Sequence, residues 1–232
     1  MVFSYSLSHD MRGPLRAINS FAQILSTDFG ERLGPEGIEL LRRIASAAGR
    51  LDQLIQDVLS LSRIGSERMR LKPVDLEKLL RQILQERSSL QPPRADVVLC
   101  VPLHKVLGHE ASLTQCLSNL LDNAAKFVAP GVYPYIRVWT TAQNGTVRVW
   151  VQDNGIGVLK EYQERIFGMF QRLHSNESYQ GTGIGLTIVR RAAERMGGKA
   201  GVESEPGKGS RFWIELSEAG EAEGETDLAK VA

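Results

Sequence analysis

The apolar residues Leu7, Met11, Leu15, Ile18, Ala22 and Leu25 recur in steps of four, four, three, four and three, the spacing that lines one face of an α-helix. After a connection at residues 29–35, a second stripe follows through Ile38, Leu41, Ile44, Ala48, Leu51, Leu54 with Ile55, Val58 and Leu61. Two such helices form an antiparallel hairpin, but a pair alone leaves stripes of this width in water. A second copy of the chain would complete a four-helix bundle, so a homodimer is expected. Pro14 removes a backbone donor from the first helix and is expected to bend it just after His9.

Residues 65–73 break the helical period and carry mixed charge, which reads as a linker between residues 1–64 and a second domain over residues 74–217. In that domain helices are predicted at 76–90, 110–127 and 186–196, and a strand at 96–101. Hairpins are predicted at 136–151, turning at Asn144-Gly145, and at 202–216, around residues 206–209. The fold class is therefore an all-α hairpin followed by an α+β sandwich with helices on one face of a mixed sheet. With a two-residue turn, paired positions of the first hairpin sum to 289. Ile136, Val138, Val149, Val151 and Asp153 then share one face, and Trp139 stands opposite Trp150 on the other. Residues 218–232, rich in Glu, Gly and Ala, show no apolar pattern and are expected to be disordered.

The charge balance narrows the partners. With 28 basic and 27 acidic side chains the net charge is +1, which offers no electrostatic footprint for nucleic acid or an anionic membrane. Nothing resembles a membrane-spanning run, and no secretory signal pattern follows Met1. Cys100 and Cys116 are isolated from each other and read as buried free thiols, which suits a reducing, cytoplasmic location.

Several residues carry chemistry by type and spacing. His9 lies two residues from both Leu7 and Met11, about 200° around the helix axis, so it is expected on the solvent side. A neutral imidazole nitrogen can attack a phosphorus atom, and Asp10 can orient the ring and take the released proton. An isolated His-Asp pair is more often plain helix surface; the downstream residues change that balance. Asn119 and Asn123 share a helix face with Lys126. An amide oxygen suits Mg²⁺, and a lysine ammonium can hold a phosphate. Without a glutamate at position 119 there is no strong base to activate water. Asp153 ends an apolar strand face and needs a partner, for which an adenine amino group is apt. Gly155 and Gly157 let the backbone turn close to a ring. Gly181, Thr182, Gly183 and Gly185 lead into a helix at Leu186, whose N-terminus would face phosphates. A dinucleotide fingerprint fails because no strand precedes this cluster, and a lysine-bearing phosphate loop fails because Leu186 follows Gly185.

In this order the motifs resemble those of the two-component sensor histidine kinases. Ser8-His9-Asp10-Met11-Arg12-Gly13-Pro14-Leu15 resembles the phosphoacceptor box, residues 119–126 the N box, and residues 153–157 the first glycine box. Residues 166–173 resemble the F box, residues 181–185 the second glycine box, and residues 207–210 a closing glycine turn. The second half is also similar to the wider group that includes gyrase, Hsp90 and MutL. The resemblance implies ATP-dependent autophosphorylation of His9 and transfer of the phosphoryl group to an aspartate of a response regulator receiver domain. It implies ATP and Mg²⁺ as cofactors, Asn123 as metal ligand, Asp153 as adenine partner, and residues 167–180 as a mobile lid. Asn119, Lys126, Gly155, Gly157, Phe170, Arg172, Gly181, Thr182, Gly183, Gly185 and Leu186 are the further nucleotide-binding residues it implies.

Gly13 departs from the pattern: many members carry Thr or Asn there, which helps position water for phosphatase action on the regulator. The first helix begins close to His9, so the sensor is expected to be absent from this chain. Two competing readings are a conformational ATPase of the gyrase and Hsp90 type and a non-catalytic dimeric scaffold. Asn119 and the acceptor helix argue against the first, and the intact boxes against the second.

Overall fold

A computed structural model describes residues 2–66, 69–173, 179 and 181–220; the side chains of residues 2–12 and 65–66 lie outside that description, as does most of the predicted tail. Helix α1 (Val2–Asp28) runs through Pro14, and α2 (Gly30–Ser66) follows after one residue. The connection expected at residues 29–35 is thus largely helical, with its break at Gly34, φ 66° and ψ 178°. The following Pro35 disfavours helical backbone at residue 34, and only glycine adopts this positive φ without strain. Leu15, Ala48, Ile55 and Leu59 form the hairpin's own small core. Phe21, Ile24, Leu40, Ile44 and Leu51 stay exposed along its outer faces.

The second unit begins with β1 (Lys72–Asp75), α3 (Leu76–Glu86), β2 (Asp96–Leu99), β3 (Lys105–Gly108) and α4 (Glu110–Lys126). The chain continues through β4 (Tyr135–Gln143), β5 (Thr146–Asp153), α5 (Gly185–Arg195), β6 (Lys199–Ser204) and β7 (Ser210–Ser217). Asp75 caps α3 by accepting a hydrogen bond from the Lys78 backbone N–H at 3.0 Å. That helix stops at Glu86, before the predicted end at residue 90, where residues 88–90 tighten into a 3-10 turn. The β1–β3 ribbon was not anticipated: its four-residue strands are too short to show an alternating period, and Pro73 argues against a strand.

The main sheet has the order β2-β4-β5-β7-β6, with β2 parallel to β4 and the other pairs antiparallel. Its inner face carries Ile136, Val138, Val147, Val149, Val151, Phe212, Ile214 and Leu216, packed against α3, α4 and α5. Asn144 and Gly145 both take positive φ, 53° and 73°, as the tight turn requires. The register follows directly: Ile136 pairs with Asp153, and Trp139 with Trp150, whose rings stack at 5.8 Å and 8°. Trp213 of β7 extends this row, lying over Gly201 with the Arg148 guanidinium 4.2 Å from its ring. Three indoles thus line the sheet face opposite the buried core. Cys116 is buried as predicted, whereas Cys100, at the end of edge strand β2, is only half-buried. Among the described residues no helix is long and apolar enough to cross a membrane.

Candidate functional site

Helix α4 supplies one wall of a cleft. Its buried face, Leu113, Cys116, Leu117, Leu120, Leu121 and Ala124, anchors it to the core and turns Asn119, Asn123 and Lys126 outward. The Asn119 amide donates to the Gly185 carbonyl at 3.2 Å, which pins the start of α5 beside α4. Burial lowers the Lys126 pKa, the Arg172 guanidinium lowers it further, and Asp122 pulls it back up. An ammonium so placed lacks a full anionic partner, a state that favours a phosphate ligand.

Strand β5 delivers Asp153 to the opposite end of the same cleft. One carboxylate oxygen accepts the Gly155 N–H at 2.8 Å and the Ser210 N–H at 3.0 Å. Burial pushes this carboxyl up to about 6, against the lowering effect of those two N–H groups. Ile156, Val158, Ile166 and Phe212 line the same cleft with apolar wall. A buried acid with no ion-pair partner among the described residues, at the end of an apolar slot, fits a flat ring that donates hydrogen bonds from its edge.

Glycines allow the backbones to close in around Asp153. A Cβ at Gly157, where φ is +71°, would stand 2.2 Å from the Glu205 carbonyl oxygen, and one at Gly155 would stand 2.3 Å from the Phe127 carbonyl oxygen. On the far side Gly181, Thr182 and Gly183 lead into α5, which aims its N-terminus into the cleft. Tyr179 packs on Phe127 with centroids 5.4 Å apart and donates from its hydroxyl to the Val128 carbonyl at 3.0 Å.

Asn119, Asn123, Lys126, Asp153 and Gly157 line this one cleft, together with Arg172, Gly181, Thr182, Gly183, Gly185 and Leu186. Gly155 stands just behind Asp153. Phe170 is not brought in: it is 56% exposed and does not line the cleft. His9 and Asp10 lie in α1, their side chains outside the description, so the expected solvent-facing His9 falls there too, and the predicted lid falls partly outside it. Sequence reasoning missed Ser210 as the second donor to Asp153, although it noted the closing turn at residues 207–210. Tyr179 falls within the stretch read as a lid, whereas Gln53 and Asp57 of α2, which line the cleft from the hairpin, were missed. No local pattern marks these last two.

The donor set bears on a metal. Among the described residues no group of three or more His, Cys, Asp or Glu could hold an ion. The Asn123 amide in the cleft suits Mg²⁺ that takes most of its oxygens from phosphates and water.

Residues 108–220 match the sequence model of the histidine kinase-, DNA gyrase B-, and HSP90-like ATPases, and residues 2–67 match that of the His Kinase A (phospho-acceptor) domain. The chain is 30% identical to the phytochrome-like protein Cph1 of Synechocystis over 92% of its own length and 28% of that protein's. It is 35% identical to the sensor histidine kinase AruS of Pseudomonas aeruginosa, over 92% of this chain and 22% of that one. Among solved structures, full-length ShkA in complex with AMPPNP superposes with a TM-score of 0.67 at 33% identity, covering 94% of this chain and 46% of that one. The chain therefore spans under a third of the curated relatives cited and about half of that solved chain.

Proposed function

This chain belongs to the two-component sensor histidine kinases, and from that premise we propose that it phosphorylates itself on His9 at the expense of ATP and passes the phosphoryl group to an aspartate of a response regulator. One observation carries the proposal: a single cleft holds a buried carboxylate at one end and a glycine loop leading into a helix N-terminus at the other, beside a hairpin that bears the histidine.

Asp153 receives the adenine amino group, with its carboxylate oriented by the Gly155 and Ser210 N–H groups. Lys126 and the N–H groups of residues 181–185 bind the triphosphate, with Arg172 nearby. Asn123 would hold Mg²⁺, which when bound would supply positive charge against the phosphates. A neutral nitrogen of His9 attacks the γ-phosphorus, a P–N bond forms as the bond to the β-phosphate oxygen breaks, and ADP leaves with the electron pair. Asp10 accepts the imidazole proton. Asn119 is committed to the Gly185 carbonyl and presents no carboxylate, so water is not activated against the bound nucleotide. The exposed Phe21, Leu40, Ile44 and Leu51 support a homodimer through the hairpin. A cytoplasmic setting follows from the same reading.

The test is incubation with γ-labelled ATP. Acid-labile, base-stable label on the chain is expected, with none on His9→Gln, while ADP binding persists. Label of the same stability on His9→Gln would assign the acceptor elsewhere.

A further inference from the structure

Helix α2 serves two cores at once. Ile55 and Leu59 face the hairpin, whereas Leu54, Leu61 and Ile64 pack on the core of the second unit. In the middle of that second face, spaced three and four residues from Leu54 and Leu61, stands Asp57, only 5% exposed. One of its carboxylate oxygens accepts the Gln53 amide N–H at 2.9 Å, and the other accepts the Thr182 hydroxyl. Thr182 belongs to the glycine loop that leads into α5, and Gln53 and Asp57 line the same cleft as Lys126 and Arg172.

A carboxylate is the wrong charge for the mouth of a phosphate site. The loop N–H groups and the α5 N-terminus attract anions, and Asp57 already occupies part of that field. Its bond also commits the Thr182 hydroxyl, a donor that a triphosphate in the cleft would use. Being desolvated, Asp57 is held in place by these two donors and needs others once they are withdrawn.

We propose that Asp57 is a latch: it docks α2 on the phosphate end of the nucleotide cleft in a resting arrangement that triphosphate binding must break. This rests on the assignment of the cleft to ATP. Nucleotide and α2 compete for Thr182, so whatever shifts α2 along or about its axis changes the affinity of the cleft for ATP. The signal and the substrate then act on one hydrogen bond, in opposite directions.

Calorimetry with Mg²⁺ and the non-hydrolysable analogue AMPPNP tests the latch on the whole chain and on Asp57→Asn and Asp57→Ala. Asn keeps the shape and an acceptor oxygen but loses the charge, and hydrogen bonds to charged acceptors are about twice as strong as neutral ones. Affinity is expected to rise in the order wild type, Asn, Ala, by about tenfold overall. Equal affinities in the three chains would overturn the latch and leave the ATP assignment intact. Weaker binding by both variants would also overturn it, making the contact one that favours nucleotide. No binding by any of them would remove both proposals.

Discussion

Replacing Asp153 by Asn should remove nucleotide binding while leaving the nucleotide-free fold as stable or more so. The carboxyl is 6% exposed, and burial moves its pKa from 3.8 to about 6. Two pKa units correspond to about 3 kcal/mol of unfavourable ionisation in the folded chain at neutral pH. The sign follows from proton binding. In strong acid the group is neutral folded and unfolded, and nothing is lost. As pH rises from about 4 to about 6 the unfolded chain releases its proton first, so stability falls, and above that window the loss is constant. Asn has the same shape and its oxygen can still accept from Gly155 and Ser210. Its amide N–H₂ opens on the cleft, and the two backbone bonds become neutral and weaker, a cost of about 1 kcal/mol each. The net gain is about 1 kcal/mol, which for a chain of this size raises Tm by roughly 2–4 °C. Toward adenine the variant loses a charge-assisted hydrogen bond of about 1.5–3 kcal/mol and sets donor against donor, so ADP affinity should drop at least about 30-fold. Unfolding in urea, with and without ADP, measures both quantities. A variant destabilised by more than about 2 kcal/mol, or one that ADP stabilises as strongly as the unaltered chain, would refute this account of the buried carboxylate.

Asn123→Ala should weaken Mg²⁺-dependent phosphorylation far more than Asn119→Glu, which instead gains futile ATP hydrolysis; normal labelling of Asn123→Ala at limiting Mg²⁺ would misassign the ligand. Gly157→Ala places a Cβ 2.2 Å from the Glu205 carbonyl oxygen at φ +71°, so a loss of about 2 kcal/mol in urea unfolding is expected, together with loss of ADP binding. ADP affinity of the unaltered chain should fall as pH drops from 7 to 5, because protonation of Asp153 removes the acceptor; a flat profile in calorimetry would argue against that contact. Gly13 has open space around it but no side chain to orient water, so decay of a phosphorylated regulator in the presence of this chain, ADP and Mg²⁺ should be slow and accelerate with Gly13→Thr. Fast decay without the substitution would move that role to another residue.

Much of the cleft is legible in the order of letters because its parts are local. The spacing of Asn119, Asn123 and Lys126 within one helix places them on one face whatever the helix packs against. The Asn144-Gly145 turn sets the register of β4 and β5, and with it the pairing of Ile136 with Asp153 and of Trp139 with Trp150. The glycines at 155, 157 and 183 mark the close approaches and positive φ that the backbone requires. Other features depend on surfaces meeting across long stretches of chain. Ser210 reaches Asp153 from 57 positions away, through strand pairing that no single turn dictates. Trp213 joins the indole row because β7 lies next to β5, and Phe170, read as part of the site, stays exposed outside the cleft. The apolar stripe of α2 reads as one dimer-forming seam, yet in three dimensions its residues divide between the hairpin core, the core of the second unit and open surface. Periodicity reports how residues are arranged around one helix, over neighbours three or four positions apart. It carries no term for the docking of that helix on a distant loop, and the bond from Thr182 to Asp57, spanning 125 positions, exists only because two separately folded surfaces come to rest against each other.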